Sequence, residues 1–385
     1  MNLPLPSSDA CQHSARLVAE IACELVPPDP WMSFARCMEM LLYAPGLGYY
    51  AAGARKFGAA GDFVTAPEMT PLFGRALARQ VAQIMALSAP EILEVGAGSG
   101  RLAADLLLEL EALQQLPASY SILDLSADLR ERQQATLLAA APHLLNRVHW
   151  ITRLPDHFSG VVLANELLDA MPAHAVAWRA EGIVERGVSF DAAGRFTWSE
   201  RPASGALLAA AEEIGSQCDL PAGYESEISL ANRAWTAEWG HRLECGALLL
   251  LDYGFPRREY YHPQRERGTL MCHYRHHAHP DPFYLPGLQD VTVHVDFTAI
   301  IAAADAAGLS LLGYTNQGRF LLNCGILDLL AETPVGTVDY IRATGAANKL
   351  LMPHEMGELF KVIAIGRCLD EPLLGFSSGD QSCRL

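Results

Sequence analysis

Short apolar runs with helical patterns between them dominate the middle of the chain. The runs with the length and apolar content of buried strands are EILEV (91–95), SILDL (121–125), VHWIT (148–152), VVLAN (161–165) and ALLLLDY (247–253). Helical patterns follow the first two runs, at 101–116 and 127–140. Apolar strands that alternate with helices are typical of a parallel sheet covered on both faces. The pattern therefore predicts an α/β fold.

Before this region the pattern is mainly helical. Apolar residues recur at helical spacing over 14–26, 31–43 and 71–87. The stretch 44–74 is rich in glycine and proline, and we interpret it as an ordered loop region. The chain is therefore expected to begin with a helical and loop region.

Two stretches interrupt the alternation of strands and helices. Residues 174–201 alternate in strand fashion around a turn at 191–194, which predicts an antiparallel excursion. Residues 254–296 hold many prolines, histidines and tyrosines with little periodicity, and we interpret them as a functional lid. Regular elements are expected again from 296 to 366, and the last dozen or so residues have the pattern of a loose tail.

Composition and charge exclude some classes of protein. Half of the 385 residues are hydrophobic and 19% are charged, which allows a large core and excludes global disorder. The formal net charge is −16, and a field of that sign repels phosphate backbones and attracts basic partners. We therefore expect no general nucleic-acid binding, whereas a basic protein substrate is compatible with the charge.

The cysteine and N-terminal patterns bear on the compartment. Nine cysteines are scattered without a CxxC pair, which argues against a disulfide framework or zinc ribbon and favours a reducing compartment. No apolar run approaches the ~20 residues that a membrane helix needs. The N-terminus lacks the pattern of a signal peptide and makes a poor mitochondrial presequence. We expect a cytoplasmic protein without membrane insertion.

The strongest local signal is EVGAGSG, in which Gly96, Ala97, Gly98 and Gly100 join a predicted strand to a predicted helix. Glycines allow a sharp turn and close approach to a ligand, and a helix N-terminus adds N–H groups. The spacing is GxGxG rather than the GxGxxG of dinucleotide sites. The preceding Glu94 suits the cationic groups of S-adenosylmethionine (SAM) better than it suits NAD. An NAD site and a simple tight turn are the alternatives.

A carboxylate follows the next predicted strand. Asp124, with Leu125 and Ser126 after it, lies where an acid accepts the ribose hydroxyls in nucleotide-binding α/β folds. The alternative is that Asp124 only caps a helix. Taken with the glycine turn, these three residues belong to the set that we expect to bind SAM.

Polar residues also follow the fourth predicted strand. Asn165, Glu166 and Asp169 come where ligands of open α/β sheets bind, beyond the carboxyl end of a strand. Methyl transfer requires mainly that the nucleophile is positioned, and an arginine nucleophile needs carboxylates in bidentate geometry. Glu166 and Asp169 are therefore candidate catalytic residues, and Asn165 is a candidate cofactor contact. The alternative is that the acids interact only with a helix dipole.

Two weaker signals remain. The segment GDFVTAPE contains Asp62, a candidate catalytic residue, and Thr65, a candidate cofactor contact, in a loop that could close over the cofactor. An ordered loop without that role is the alternative. The segment 272–279 holds four histidines and a cysteine, but structural zinc sites draw their ligands from two separated pairs. We therefore expect no metal there, and histidines that line a cleft or contact a partner.

The order of these blocks along the chain resembles one family. The blocks that carry the resemblance are LYAPGLGYY (42–50), GDFVTAPEMTPLFG (61–74), LEVGAGSGRLAADLL (93–107), LDLSADLRERQ (123–133), LANELLDAMP (163–172), LLDYGF (250–255), GLQDVTVHVDF (287–297), TNQGRFLLNCGI (315–326) and MGELFKVIAI (356–365). They resemble the MidA-type class I methyltransferases, whose mitochondrial member assists assembly of respiratory complex I. The resemblance implies a Rossmann-like, mostly parallel class I methyltransferase sheet and SAM-dependent methyl transfer.

The resemblance also implies roles and a substrate class. The residues that match the family's SAM turn, GDF…PE block and post-strand motif are Gly96, Gly98, Gly100, Asp62, Thr65, Glu68, Asn165, Glu166 and Asp169. Asp124 would hold the ribose, although the family more often has glutamate there. The mitochondrial relative dimethylates an arginine of a complex I core subunit, so the resemblance favours a protein arginine, for example in a respiratory-complex subunit. A SAM-binding assembly factor or chaperone without catalysis is the alternative function.

The same patterns suggest how the chain is divided. The segments we expect are a helical and loop region over the cofactor site (1–75), a SAM-binding core (76–175), an insertion of antiparallel strands and helices (176–245), the rest of the core with a lid at 254–296 (246–370), and a tail (371–385). The insertions are expected to form a second subdomain.

Overall fold

A computed structural model describes residues 3–52, 65–124 and 126–385 of the chain. The helices are α1 (Ser8–Glu24), α2 (Phe34–Tyr43), α3 (Ala66–Met69), α4 (Pro71–Leu87), α5 (Arg101–Ala112), α6 (Ala127–Ala140), α7 (Gly205–Gln217), α8 (Leu230–Arg242), α9 (Arg257–Tyr260), α10 (Phe297–Ala306), α11 (Gln317–Asn323), α12 (Ile326–Ala331) and α13 (Val338–Leu351). The strands are β1 (Met32–Ser33), β2 (Glu91–Val95), β3 (Ser119–Leu123), β4 (Val148–Ile151), β5 (Phe158–Asn165), β6 (His174–Arg179), β7 (Gly182–Phe190), β8 (Phe196–Pro202), β9 (Glu225–Ile228), β10 (Leu243–Phe255), β11 (Met271–Tyr274), β12 (His277–His279), β13 (Asp290–Thr292), β14 (Val295–Asp296), β15 (Ser310–Asn316) and β16 (Phe360–Arg367). None of the helices within the described residues combines the length and the apolar character that crossing a bilayer requires.

The chain forms two compact units. The first contains the described residues within Met1–Phe63, together with Leu168–Trp235 and Phe255–Ala299. The second contains the described residues within Val64–Leu167, together with Thr236–Gly254 and Ile300–Leu385. Each unit is therefore assembled from stretches that are far apart in the sequence.

The second unit is built on a mostly parallel sheet. Its strand order is β15-β16-β10-β5-β2-β3-β4. The five strands from β10 to β4 run parallel, whereas β16 is antiparallel to both of its neighbours. The predicted α/β fold with a mostly parallel sheet is confirmed. Successive residues of β5 and β10 are buried, which explains why these strands have continuous apolar runs rather than alternation.

The register of this sheet brings several strand ends to one edge. Val95 of β2 pairs with Leu123 of β3, and Asn165 of β5 pairs with Leu251 of β10. Because these strands are parallel, the residues that follow them emerge at the same carboxyl edge. The glycine turn, Asp124 and Glu166 therefore all follow strands that end at this edge.

The first unit contains two antiparallel sheets. One has the order β1-β7-β6-β9, with β8 paired to β7, and the other has the order β12-β11-β13. The predicted antiparallel excursion over 174–201 is therefore confirmed. Among the described residues of this unit, one apolar cluster lies around Phe34 and Met38 of α2 and another lies around Ile214 of α7 and Tyr261.

The prediction of a stretch without regular structure over 254–296 is wrong. This stretch contains α9 and the four strands β11, β12, β13 and β14. Cys272, at the centre of the small sheet, is fully buried and pairs with His279 on one side and Val291 on the other. Strands of two to four residues are too short to produce a recognisable hydrophobic period, which is why the sequence pattern does not show them.

The prediction of a loose C-terminal tail is also wrong. Leu373 and Phe376 are 2% and 7% exposed and belong to the core of the second unit. The backbone N–H of Leu374 donates to Oε1 of Gln83 at 2.7 Å, and that of Gln381 donates to the carbonyl of Tyr314 at 2.6 Å. The segment is held by isolated apolar anchors and hydrogen bonds rather than by a periodic element.

Candidate functional site

The glycine turn connects β2 to α5. Gly96, Gly98 and Gly100 have φ angles of +74°, +53° and +82°, which side chains with a Cβ rarely adopt. Among the described residues, a Cβ on Gly98 would have no atom within 4 Å. A Cβ on Gly100 would lie 2.9 Å from Cα of Gln133, because α6 packs directly against the turn. The turn therefore has one side supported by protein and another side with space for a ligand.

The turn is also linked to the segment that precedes α4. The hydroxyl of Ser99, within the turn, donates a hydrogen bond to the carboxylate of Glu68 on α3. Thr65 is the N-cap residue of α3, and its side chain does not cap the helix. The contact brings the PE part of the GDF…PE block against the turn. Asp62 and Leu125, which the sequence analysis also singled out, lie outside the described residues.

A buried carboxylate lies at the end of β2. Glu94 is 2% exposed, and its Oε2 accepts a 2.7 Å hydrogen bond from the hydroxyl of Tyr120 on β3. Burial raises the pKa of Glu94 from 4.5 to about 7; the Tyr120 hydrogen bond lowers the pKa and the charge of Asp124 raises it. Because Glu94 titrates near neutral pH, a cationic ligand that binds beside it would stabilise the ionised carboxylate.

Asp124 is held in place through both of its carboxylate oxygens. Oδ1 accepts a 3.0 Å hydrogen bond from the backbone N–H of Ser126, and Oδ2 accepts a 2.8 Å bond from Nε2 of Gln133. Ser126, rather than Asp124, is the N-cap residue of α6, and its hydroxyl accepts from the N–H of Leu129. Asp124 is therefore a fixed acceptor at the carboxyl edge, as a ribose-binding role requires.

Asn165 and Glu166 follow β5 at the same edge. Glu166 has a φ of +52°, an uncommon conformation for a residue with a side chain, and its N–H donates to the carbonyl of Leu251 at 2.9 Å. Nδ2 of Asn165 donates to Oε1 of Glu166 at 3.2 Å. Oδ1 of Asn165 is buried and has no hydrogen-bond partner among the described residues. Unusual backbone conformations of this kind cluster at functional sites.

The second acid of the post-strand motif, Asp169, belongs to a cluster within the first unit. Asp169 and Asp290 are 5% and 2% exposed. The hydroxyl of Tyr50 donates to the Asp290 carboxylate at 3.1 and 3.2 Å. The pKa of Tyr50 lies well above its ordinary value, because the group is buried and the charges of Asp290 and Asp169 oppose its ionisation. Tyr43 stacks on Tyr50 with ring centroids 5.6 Å apart. We call Asp169, Asp290, Tyr43 and Tyr50 the acid–tyrosine cluster.

Sequence reasoning missed several of these residues. Tyr120 could not be found, because its contact with Glu94 depends on the register of two parallel strands. Asp290 lies within a block that carried the family resemblance, but nothing in the pattern around it indicates a role. Gln133 had a detectable signal, since it falls between Leu129 and Leu137 at helical spacing and is a polar residue on a buried stripe.

The residues of the second unit fit a SAM molecule. The space beside Gly98 allows a ligand to approach the backbone, and the N-terminus of α5 favours a carboxylate. The buried Oδ1 of Asn165 requires a donor, which an α-ammonium group provides. Asp124 would accept the ribose hydroxyls. The role of each of these residues remains a prediction.

The histidine-rich segment forms part of the small sheet of the first unit. Cys272 and His273 lie on β11, and His277 and His279 lie on β12. No group of three or more histidine, cysteine, aspartate or glutamate side chains within the described ranges is arranged to hold a metal ion. The segment is part of the structure of this sheet.

Comparisons with known proteins agree on one family. The profile of a family described as S-adenosyl-L-methionine-dependent methyltransferases matches residues 75–315. A crystal structure from Burkholderia thailandensis, of a protein described as a likely methyl transferase and bound to S-adenosyl-homocysteine, is 49% identical, with full coverage of both chains and a TM-score of 0.96. The mitochondrial protein arginine methyltransferase NDUFAF7 of Danio rerio is 28% identical over 91% of this chain and 86% of its own length. Its homologue in Drosophila melanogaster is 27% identical over 97% and 91%.

Proposed function

Because the chain belongs to a family of S-adenosyl-L-methionine-dependent methyltransferases, we propose that its methyl acceptor is a protein side chain, and specifically an arginine. SAM is the cofactor and supplies the methyl group as an electrophilic carbon on a sulfonium. The acceptor must therefore present a nucleophilic atom and lose a proton on methylation.

The observation that carries the arginine proposal is the acid–tyrosine cluster. A guanidinium is planar and always charged, and it binds best to carboxylates that accept from two of its N–H groups and to aromatic faces. Asp169 and Asp290 supply carboxylates, and the stacked rings of Tyr43 and Tyr50 supply aromatic surface. Such a cluster suits a guanidinium better than it suits a hydroxyl or a carboxylate acceptor.

Two further observations support the proposal. The mitochondrial relatives named above carry the name protein arginine methyltransferase, although they share only about a quarter of their residues with this chain. The net charge of −16 attracts a basic protein segment. We also propose Glu166, whose backbone is held in an uncommon conformation, as a catalytic residue. We also propose that the protein acts in the cytoplasm.

Transfer of labelled methyl groups tests the proposal. The purified protein and methyl-labelled SAM are added to an extract of cells that lack this protein, and labelled proteins are hydrolysed and analysed by mass spectrometry. We expect label in methylated arginine of one or a few proteins. Label in lysine, in a carboxyl group or only in small molecules would contradict the arginine assignment.

Variants separate catalysis from cofactor binding. Glu166→Gln and Asp290→Asn are expected to reduce labelling at least a hundredfold while S-adenosyl-homocysteine binding, measured by calorimetry, stays within about threefold of wild type. Glu181→Gln, at an exposed turn between β6 and β7, is the matched control and should label normally. Normal labelling by Glu166→Gln would exclude a catalytic role for this carboxylate. If no extract protein is labelled although cofactor binds, a non-catalytic assembly factor is favoured.

A further inference from the structure

Gln133 occupies an unusual position for an amide side chain. It lies on α6 with none of its surface exposed, between Leu129 and Leu137 on the buried face of the helix. Its Nε2 donates to Oδ2 of Asp124 at 2.8 Å and to the carbonyl of Gly98 at 3.1 Å. Its Oε1 accepts from Nε1 of Trp150 at 3.0 Å. Both amide N–H groups and the amide oxygen are therefore engaged.

The partners determine which way the amide points. The indole of Trp150 can only donate, and the carbonyl of Gly98 can only accept. The oxygen of Gln133 must therefore face Trp150, and its nitrogen must face Asp124 and Gly98. Trp150 thus acts on the site indirectly, because its N–H fixes the orientation of the Gln133 amide.

Packing at Gly100 brings Gln133 into reach. A Cβ at position 100 would lie 2.9 Å from Cα and 3.2 Å from Cβ of Gln133. The absence of a side chain at Gly100 lets α6 approach the turn closely enough for the Gln133 amide to reach the Gly98 carbonyl. Glycine is therefore needed at position 100 for two reasons: the close contact between α6 and the turn, and the positive φ.

We propose that Gln133 is a positioning residue for cofactor binding: its amide joins the carboxylate of Asp124 to the glycine turn, so that the ribose-binding and methionine-binding parts of the site form one rigid unit. The hydrogen bond from Nε2 holds Oδ2 of Asp124 in place, and with it the carboxylate that we expect to accept from the ribose hydroxyls. The same nitrogen holds the Gly98 carbonyl, and with it the part of the turn that faces open space. The inference concerns the cofactor alone and does not depend on the identity of the acceptor.

Two substitutions at Gln133 distinguish hydrogen bonding from packing. Gln133→Glu keeps the shape of the side chain but replaces the donor by a carboxylate beside Asp124, whereas Gln133→Met removes the polar atoms. If the amide positions Asp124, affinity for S-adenosyl-homocysteine falls about tenfold in Gln133→Met and further in Gln133→Glu. A packing role predicts the opposite order, with the isosteric Gln133→Glu closest to wild type. Gln134→Met, at the exposed neighbouring position, is the matched control and should bind normally.

A double-mutant cycle with Asp124→Asn tests whether Gln133 acts through Asp124. We expect the loss of S-adenosyl-homocysteine affinity in the double variant Asp124→Asn/Gln133→Met to be clearly smaller than the product of the two single losses. In the Asp124→Asn background, Gln133→Met still removes the bond to the Gly98 carbonyl but no bond to an Asp124 carboxylate. In steady-state assays, the KM for SAM should rise in Gln133→Met while kcat at saturating SAM stays within about twofold. Independent, multiplicative losses of affinity in the cycle would overturn the proposal.

Trp150→Phe provides a test that leaves Gln133 in place, should the Gln133 variants fold poorly. It removes the indole N–H that orients the amide while keeping an aromatic ring at this position, and we expect a three- to tenfold loss of S-adenosyl-homocysteine affinity. Folding is followed by circular dichroism in the same samples. Unchanged affinity in a folded Trp150→Phe variant would show that orientation of the amide is unimportant and would overturn the proposal.

Discussion

The hydroxyl of Tyr120 donates a 2.7 Å hydrogen bond to Glu94, and both side chains are buried in adjacent parallel strands. Burial disfavours the charged form of Glu94 and raises its pKa to about 7, while the hydrogen bond from Tyr120 opposes this rise. The carboxylate next to the glycine turn is therefore held between its two protonation states at neutral pH.

We predict that cofactor affinity depends on pH through Glu94. A cationic ligand beside Glu94 stabilises the carboxylate, so binding should release a proton. The Kd for SAM should fall up to about tenfold as pH rises from 6 to 8. Calorimetry in two buffers of different ionisation enthalpy measures the released proton. Glu94→Gln should bind more weakly and show little pH dependence over this range; the same proton release in this variant would assign the effect to another group.

The same pKa shift affects the stability of the ligand-free protein in the opposite direction to cofactor affinity: stability should decrease as pH rises. Between pH 4.5 and about 7 the ligand-free folded protein keeps a proton on Glu94 that the unfolded chain has released. The contribution of Glu94 to the free energy of unfolding therefore decreases as pH rises through this window. Urea unfolding at several pH values gives the free energy of unfolding of wild type and of Glu94→Gln. The difference between these two free energies should shift in favour of the variant as pH rises. A difference that is constant with pH would contradict the raised pKa.

Gly98 should be required for cofactor binding more than for folding. An alanine there is strained by the φ of +53°, at a cost of about 1 kcal/mol, and its methyl group enters the space beside the turn. We expect Gly98→Ala to lower S-adenosyl-homocysteine affinity at least tenfold. Gly336→Ala is the matched control, because Gly336 also has a positive φ and open space around it among the described residues. Equal loss of affinity in both variants would mean that strain alone is responsible.

Asp124 should contribute to affinity through its charge. Hydrogen bonds to an ionised acceptor are worth about 1.5–3 kcal/mol, so Asp124→Asn should weaken S-adenosyl-homocysteine binding about 10- to 100-fold. Asp128→Asn, in the exposed first turn of α6, removes an equal charge outside this network and should leave affinity unchanged. A similar loss in both variants would indicate a long-range effect of charge rather than a contact with the ribose.

The parts of the fold that could be predicted are those with a simple local pattern of apolar residues or glycines in the sequence. The apolar runs that form β2 and β5 mark strands buried on both faces, and the glycines after β2 mark a turn that only glycine makes easily. Because both residues follow parallel strands, the sequence also predicts that Asp124 and Glu166 lie at the same carboxyl edge of the sheet.

The remainder depends on contacts between distant residues. Tyr120 reaches Glu94 only because of the register between β2 and β3, and Asp290 joins Tyr50 across 240 positions of sequence. The small sheet around Cys272 is made of strands too short to show a period. None of these contacts produces a pattern in the local sequence, so only the three-dimensional structure reveals them.

The packed C-terminal segment leads to a prediction about stability. Phe376 is 7% exposed, and its ring lies 5.4 Å from that of Phe320, in the core of the second unit. Removing a buried phenylalanine side chain costs about 3–5 kcal/mol, through lost burial and the cavity that remains. Phe376→Ala should therefore lower the free energy of unfolding by this amount in urea titrations. Leu374→Ala, two residues earlier and 36% exposed, should cost less than about 1 kcal/mol. If both variants are as stable as wild type, the segment does not anchor the core, whereas a large effect of Phe376→Ala alone establishes it as part of the folded unit.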